Sequence, residues 1–212
     1  MLLRHPTFAV RRLRGMATGP KGRWSMERME ELGLVRRAKQ GDVDAYGRLY
    51  EMVYKDLYRF ALFTLKNPQD AEDVVADTVA DSFVGIGKLK ADEAFRSWIF
   101  RILTNKCRRI LKRYAERPVM KEYGEAMSGR ENAAAFSLGG EDGVNREDLM
   151  DLYRAFGSLP QEDRLIIGLS FFGGYSSEEI AAMLKRKSGT VRSRQSRALA
   201  KMRQMLTGAY GL

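Results

Sequence analysis

A run of positive side chains near the end of the chain is the clearest sign of chemistry in the sequence. Residues 185–203 hold eight Lys and Arg and no acid. The alternative explanation of the run is an ordinary solvated helix face, but such a face usually carries both signs of charge. A run of cations without acids suits a polyanionic partner, because each cation set against a phosphate releases a condensed counterion. The segment therefore predicts contact with nucleic acid.

The residues around this run predict how it is presented. Ser176 and Glu179 have the Ser-x-x-Glu spacing of a capping box, which begins a short helix. After a turn of about four residues, a second helix begins at Ser188 or Gly189 and reaches about Leu206. This pattern is a helix-turn-helix, whose second helix enters the major groove of DNA. The side chains predicted to contact DNA are Ser188, Thr190, Arg192, Ser193, Arg194 and Arg197.

A second basic helix is predicted over about residues 92–114. It has one broad apolar face and no acid between Arg96 and Arg113. Such a helix could bind RNA, an acidic protein or an anionic membrane surface. Phe95 and Trp98 could stack on bases, but aromatic residues at helical spacing more often pack in a core, which is the favoured interpretation.

The helix predicted before it, over about residues 69–83, is acidic. Its carboxylates are spaced to share one face and are Asp70, Asp73, Asp77 and Asp81. The face is either a solvated surface or a docking patch for a basic partner.

Enzymatic chemistry finds little support in the sequence. The single histidine, His5, lies in the basic N-terminal segment, and no Cys/His set has metal-ligand spacing. Glu72 and Asp73 could hold a metal in a nuclease, but they sit at a helix start, where the helix dipole already explains them. We expect no catalytic residue, metal or cofactor. The single cysteine, Cys107, is expected to be a small buried hydrophobe.

Composition and charge predict a soluble, cytoplasmic nucleic-acid binder. The chain has 212 residues, 44% hydrophobic and 30% charged, and a formal net charge of +10. No apolar run is long enough to cross a bilayer, and no export signal is evident. Residues 1–25 are basic without acid, which suggests a disordered tail or an upstream start codon, with an organellar transit peptide as the alternative.

The helical patterns fall into two groups. They predict an all-α protein with one helical domain over 26–114 and a second, containing the helix-turn-helix, over 148–212. Between them, residues 115–147 lose periodicity and gather glycine and acidic side chains. This composition predicts a flexible, acidic linker.

Several short motifs, in order, resemble those of extracytoplasmic-function (ECF) sigma factors of the sigma-70 family. Those of the first domain are GDVDAY at 41–46, DAEDVV at 70–75 and FRSWIFRI at 95–102. Those of the second domain are SLP at 158–160, GYSSEEIA at 174–181 and GTVRSR at 189–194. The resemblance covers the chain from about residue 27 to 206 and implies a sigma2-like helical bundle and a sigma4-like helix-turn-helix domain.

The resemblance also implies partners and a division of labour. The acidic face would dock on core RNA polymerase, the helix-turn-helix would read the minus-35 element of promoter DNA, and the loop at 84–91 with the basic helix would capture the melted minus-10 element. Its candidates at minus-10 are Lys88, Lys90, Arg96, Arg101, Asn105, Arg108 and Arg109. Members of the family are commonly held inactive by an anti-sigma factor, which adds that protein to the candidate partners.

The sequence departs from the family at Ala76, where Gln is frequent on the acidic helix, and at three positions of the helix-turn-helix, one of which is Arg186, where an apolar residue is common. Lys185 stands in the turn where Gly is frequent, and Gln195 replaces a frequent Leu on the second helix. Two other hypotheses stay open at this point. One is a stand-alone helix-turn-helix regulator that binds duplex DNA without polymerase, and the other is a nucleic-acid enzyme.

Overall fold

The computed structural model describes residues 25–116 and 146–208, and all regular structure within these two ranges is helical. The all-α prediction is confirmed. The described residues form eight α-helices, which are α1 Ser25–Lys39, α2 Val43–Leu65, α3 Pro68–Gly85, α4 Phe95–Glu116, α5 Arg146–Gly157, α6 Gln161–Phe171, α7 Ser177–Leu184 and α8 Ser188–Gly208. Short 3-10 turns at Ile86–Lys88 and Asp92–Ala94 join α3 to α4. Nearly all of the predicted N-terminal tail (1–25) and of the predicted linker (115–147) lies outside the described residues.

Side-chain caps explain where several helices begin. The Asp42 carboxylate accepts the Ala45 N–H at 2.9 Å, and Asn67 accepts the Asp70 N–H at 3.2 Å. Each side chain satisfies a backbone donor that has no partner within its helix. Hydrogen bonds from the Ala45 N–H and then from Arg37 hold the pKa of Asp42 below its usual range. The cap stabilises α2 wherever Asp42 is ionised.

Helices α1–α4 form an N-terminal bundle around α2. The positions of α2 that recur every three or four residues are fully buried, among them Leu49, Val53 and Leu57. Helices α1, α3 and α4 each pack on α2, and α3 also packs on α4. Cys107 of α4 is buried, as predicted, and burial raises the pKa of its thiol well above the usual range. The bundle thus sets the acidic α3 beside the basic α4.

Helices α5–α8 form a C-terminal bundle built on the long α8. The buried side chains of α8 are Val191, Ala198, Met202 and Leu206, which lie on one stripe. Helices α5, α6 and α7 all pack on α8. This arrangement leaves the opposite side of α8 in solvent.

The two bundles pack against each other through aromatic rings. The Phe63 ring of α2 lies 5.4, 5.0 and 5.1 Å from the rings of Tyr153, Phe156 and Phe172, measured between centroids. The Phe100 ring of α4 lies 5.6 Å from the Tyr175 ring. The buried residues of both bundles therefore form one continuous apolar cluster. The sequence predicts the two groups of helices but not this shared core.

The contact between the bundles is close but incompletely satisfied. A Cβ on Gly168 of α6 would lie 3.0 Å from the Phe60 ring of α2, so no larger residue fits there without movement. The buried hydroxyls of Thr64 and Tyr175 have no hydrogen-bond partner among the described residues. A buried hydroxyl without a partner costs about 1–3 kcal/mol, so these groups weaken the contact.

None of the helices in the two described ranges is long and apolar enough to span a bilayer.

Candidate nucleic-acid interface

Helices α7 and α8, with the turn between them, form the predicted helix-turn-helix. The capping box at the start of α7 is confirmed: Glu179 accepts the Ser176 N–H at 2.8 Å, and the Ser176 hydroxyl accepts the Glu179 N–H at 3.3 Å. Lys185 ends α7 in the left-handed region with φ of +54°. It adopts the conformation that glycine adopts most readily, and its N–H donates to the Ala181 carbonyl. The turn therefore keeps the helix-ending geometry despite the substitution.

The outer side of α8 carries five of the six side chains predicted to contact the major groove. Ser188, Thr190, Arg192, Ser193 and Arg197 are exposed, whereas Arg194 is only partly exposed. With Lys185, Arg186 and Lys187 of the turn, this side presents cations and hydroxyls at the start of the helix, where a recognition helix meets base edges.

Arg192 makes an ion pair that DNA could displace. Its guanidinium lies 2.6 Å from the Glu178 carboxylate, and both side chains are more than half exposed. The backbone N–H of Glu178 and then Arg192 hold the pKa of that carboxyl below its usual range. Exposed pairs of this kind contribute at most about 1 kcal/mol, so a phosphate or guanine edge can replace Glu178 at small cost.

Arg194 points to the other side of the helix, toward α6. Its two terminal nitrogens lie 2.6 Å from Asp163 and 2.8 Å from Glu162. The next residue, Gln195, hydrogen-bonds to Ser170 of α6 and Ser177 of α7. Glu162 and Asp163 are therefore part of this site, although they were not predicted from the sequence. The signal was available, since two acids in the first turn of a helix that precedes a basic helix-turn-helix are suited to pair with it.

The residues predicted to contact the minus-10 element divide into two groups. Lys88, Lys90, Arg101, Asn105, Arg108 and Arg109 are exposed. Of these, Arg101, Asn105 and Arg108 follow the i, i+4, i+7 spacing of one face of α4. Arg96 instead lies against α1, with its Nε 2.7 Å from Glu31.

The two aromatic residues at the start of α4 pack inward. Phe95 is fully buried, so its predicted core role is confirmed. Trp98 is half-buried beside Gly85, where an added Cβ would lie 3.0 Å from the indole ring. Neither ring stands free in this structure as a platform on which bases could stack.

The acidic residues of α3 face the basic residues of α4 across a groove of about 550 Å³. Lys106 of α4 lies 2.7 Å from Asp81 and 3.7 Å from Asp77. The Tyr114 hydroxyl donates to Asp70 at the other end of the groove. Asp73 is exposed and accepts a hydrogen bond from the Gln69 side chain at 3.2 Å. The predicted acidic face is present. Three of its four carboxylates, those of Asp70, Asp77 and Asp81, already contact side chains of α4.

Comparisons with known proteins agree with this arrangement. The Sigma-70 region 2 family matches residues 49–117, which lie in the N-terminal bundle and just beyond it, and the Sigma-70, region 4 family matches residues 155–204 of the C-terminal bundle. RNA polymerase sigma factor SigV of Bacillus subtilis is 31% identical over 72% of this chain and 86% of its own length. ECF RNA polymerase sigma-E factor of Escherichia coli is 29% identical over 81% of this chain and 92% of its own.

Solved structures extend the match to the fold. CnrH, in complex with the cytosolic domain of CnrY, superposes with a TM-score of 0.57 at 26% identity and covers 84% of this chain and 98% of its own. The sigma factor RpoE of Bartonella quintana, in complex with the anti-sigma factor NepR, has a TM-score of 0.55 at 24% identity, over 78% of this chain and 98% of its own. The family matches, the relatives and the order of the helices agree, and the chain belongs to the ECF sigma factors of the sigma-70 family.

Proposed function

We propose that this chain is an alternative sigma factor, which binds core RNA polymerase and directs promoter-specific transcription initiation by recognising and helping to melt promoter DNA. The observation that carries the proposal is the placement of opposite charges on separate surfaces of one chain. The exposed cations of α8 lie in the C-terminal bundle, and the carboxylates of α3 lie in the N-terminal bundle. A sigma factor must bind a protein and a polyanion at once, and this arrangement provides one surface for each.

The outer side of α8 reads the minus-35 element as duplex DNA in this proposal. Arg192 and Arg197 are long, exposed cations near the helix start, suited to guanine edges or phosphates. Ser188, Thr190 and Ser193 add hydroxyl groups that can bond to phosphate or base.

The minus-10 element is captured as a melted strand by the loop after α3 and the exposed face of α4. Lys88 and Lys90 flank the loop, while Arg101, Asn105 and Arg108 continue along the helix with Arg109 beside them. A single strand needs cations that follow its backbone and a pocket for an unstacked base. Arg96, held by Glu31, supports this face by fixing α4 on α1.

The acidic face of α3, with Asp70, Asp73, Asp77 and Asp81, docks on core RNA polymerase. Asp73 is exposed and has no ion pair within 4.0 Å among the described residues, so its carboxylate is the most available of the four for a basic partner. In this proposal the polymerase carries out catalysis and this chain contributes no catalytic residue. The chain acts in the cytoplasm. An anti-sigma factor is a further proposed partner.

The two bundles act as separate domains on the promoter, with boundaries near 26–114 and 148–212. The minus-10 and minus-35 elements lie about 25 base pairs apart, or roughly 85 Å at 3.4 Å per base pair. A compact chain of this length has a radius of gyration of only about 17 Å, so packed bundles cannot reach both elements. The aromatic contact between the bundles must therefore open when both elements are bound.

Run-off transcription with purified core polymerase tests the proposal against the stand-alone regulator. The full chain should bind promoter duplex weakly alone and direct specific initiation once core polymerase is added. Core polymerase without the chain is the control. Tight, sequence-specific binding by the chain alone, together with no specific transcript when core is present, would favour the stand-alone regulator.

A further inference from the structure

One polar residue interrupts the buried stripe of α8. Val191, Ala198 and Met202 are buried, and Gln195 lies between them at the i+4 position of the same stripe. An apolar side chain would suit this position, because the stripe faces α6 and α7. Gln195 therefore needs hydrogen-bond partners on those helices.

Both ends of the Gln195 amide have such partners. Its Nε2 donates to the Ser170 hydroxyl of α6 at 2.8 Å, and its Oε1 accepts from the Ser177 hydroxyl of α7 at 2.9 Å. Ser170 is itself buried, and the hydrogen bond is partly buried. A satisfied polar bridge between three helices restricts their relative orientation more than apolar packing does, because its bonds are directional.

Arg194 adds a second anchor beside the first. Its guanidinium binds Asp163 and Glu162 of α6 through two different nitrogens, at 2.6 and 2.8 Å. The hydrogen bond to Asp163 raises the pKa of this guanidinium above its usual value. Glu162 also accepts from Arg186 in the turn, at 2.8 Å. Glu162 and Asp163, at the start of α6, thus bind both the α7–α8 turn and the recognition helix α8.

These two anchors fix the rotation of α8 about its own axis. Each residue along a helix is turned by about 100° from the one before, so a rotation of α8 would turn Arg192 and Arg197 away from the groove together and weaken binding to every duplex. We propose that Arg194 and Gln195 are positioning residues of promoter recognition, which hold the recognition helix at the angle that presents Arg192 and Arg197 to DNA and do not themselves read bases. The inference rests on the proposed function of α8 as the minus-35 reader.

A charge exchange at the Arg194 anchor separates positioning from reading. The full chain, assembled with core polymerase, is used to retrieve duplexes from a library randomised across the minus-35 region. Arg194→Ala and the double variant Glu162→Ala with Asp163→Ala should each lower affinity for all retrieved sequences by about five- to tenfold, since each removes both of the partly buried ion pairs of Arg194. The triple variant Arg194→Asp with Asp163→Arg and Glu162→Gln exchanges the charges and removes the carboxylate that would repel the one introduced at position 194. It should restore much of the affinity and keep the base preference of the native chain.

Arg197→Ala is the matched control, because it removes an exposed arginine on the same helix. It should change the preference at a base pair or lower the salt dependence of binding, as loss of a base or phosphate contact does. Arg194 acts as a reader if Arg194→Ala behaves in the same way, if Glu162→Ala with Asp163→Ala is harmless, or if the exchange restores nothing. Any of these results overturns the inference.

Arg194→Lys keeps the charge and tests the anchor if the alanine variant unfolds. Intermediate affinity with unchanged base preference supports a positioning role, and a changed base preference contradicts it.

Gln195→Leu tests the second anchor. Leucine fills the apolar stripe without the two hydrogen bonds, so the melting temperature should change by only a few degrees while affinity for the preferred duplexes falls severalfold relative to random duplex. Unchanged discrimination between preferred and random duplex would show that Gln195 only packs. If the native chain with core polymerase retrieves no preferred sequence, the proposed function fails and the inference with it. If the native chain succeeds and only the variants disagree, the inference alone fails.

Discussion

Replacing Phe63 by Ala should open the contact between the two bundles. Phe63 is 1% exposed and meets three rings of the C-terminal bundle. Truncating a fully buried Phe costs about 3–5 kcal/mol when the surroundings cannot collapse. The aromatic pairs themselves contribute about 0.5–1.5 kcal/mol each, so three of them add about 1.5–4.5 kcal/mol to the closed state. Losing all three should leave a large fraction of the chain open.

Fluorescence energy transfer between the bundles measures the opening directly. Dyes placed through Ala80→Cys on α3 and Ser196→Cys on α8 use exposed positions, while the native Cys107 is buried and resists labelling. Phe63→Ala should lower the transfer efficiency. Phe95→Ala is the matched control, because Phe95 is also fully buried and its ring packs on Trp98 within the N-terminal bundle. It should destabilise the chain without changing the distance between the dyes.

The functional consequence follows from the population of the open state. If only open chains engage both promoter elements, the apparent dissociation constant equals the intrinsic one divided by the open fraction. Phe63→Ala should therefore strengthen promoter-complex formation with core polymerase by about tenfold, despite lowering the stability of the isolated chain. Unchanged energy transfer in Phe63→Ala, or a loss of promoter binding as large as in Phe95→Ala, would refute the argument that the bundles must separate.

Four further outcomes are expected. Asp73→Lys should weaken core polymerase binding in a pull-down while retaining the helical circular dichroism signal; undiminished binding would mean that this face of α3 is only solvated. Arg192→Ala should relax preference at one minus-35 base pair, costing about 1–3 kcal/mol of discrimination, with core binding intact. Lys185→Gly should stabilise the chain by about 1 kcal/mol in urea unfolding, because Lys185 has a positive φ. Cys107 should react with Ellman's reagent only after denaturation, because burial raises its pKa and blocks access.

The helices and their ends could be read from local sequence. Asp42, Asn67 and the Ser176–Glu179 pair satisfy backbone donors within a few residues of themselves, so their effect depends little on the rest of the chain. The left-handed turn at Lys185 also forms, although this backbone conformation favours glycine over lysine. Local geometry imposed by the two helices prevails there over the preference of one residue.

The candidate site was predictable as a set of charges but not as a set of orientations. The cations of α8 and the carboxylates of α3 were identified from their spacing. Arg192 and Arg194 are two residues apart and look equivalent in sequence, yet one pairs with an exposed glutamate at the start of α7 and the other with two acids on α6. Arg96 likewise lies against α1. These partners are distant in sequence, so only packing could assign them.

The sequence by itself determined the all-helical architecture, the two groups of helices, the helix-turn-helix and the family, because each depends on short-range periodicity, capping and ordered motifs. The tertiary structure alone decided that Phe63 joins the two bundles in one apolar core and that Arg194 and Gln195 anchor α8 from within. Those contacts join residues far apart in the chain. Their geometry depends on how the helices pack, which no local pattern encodes.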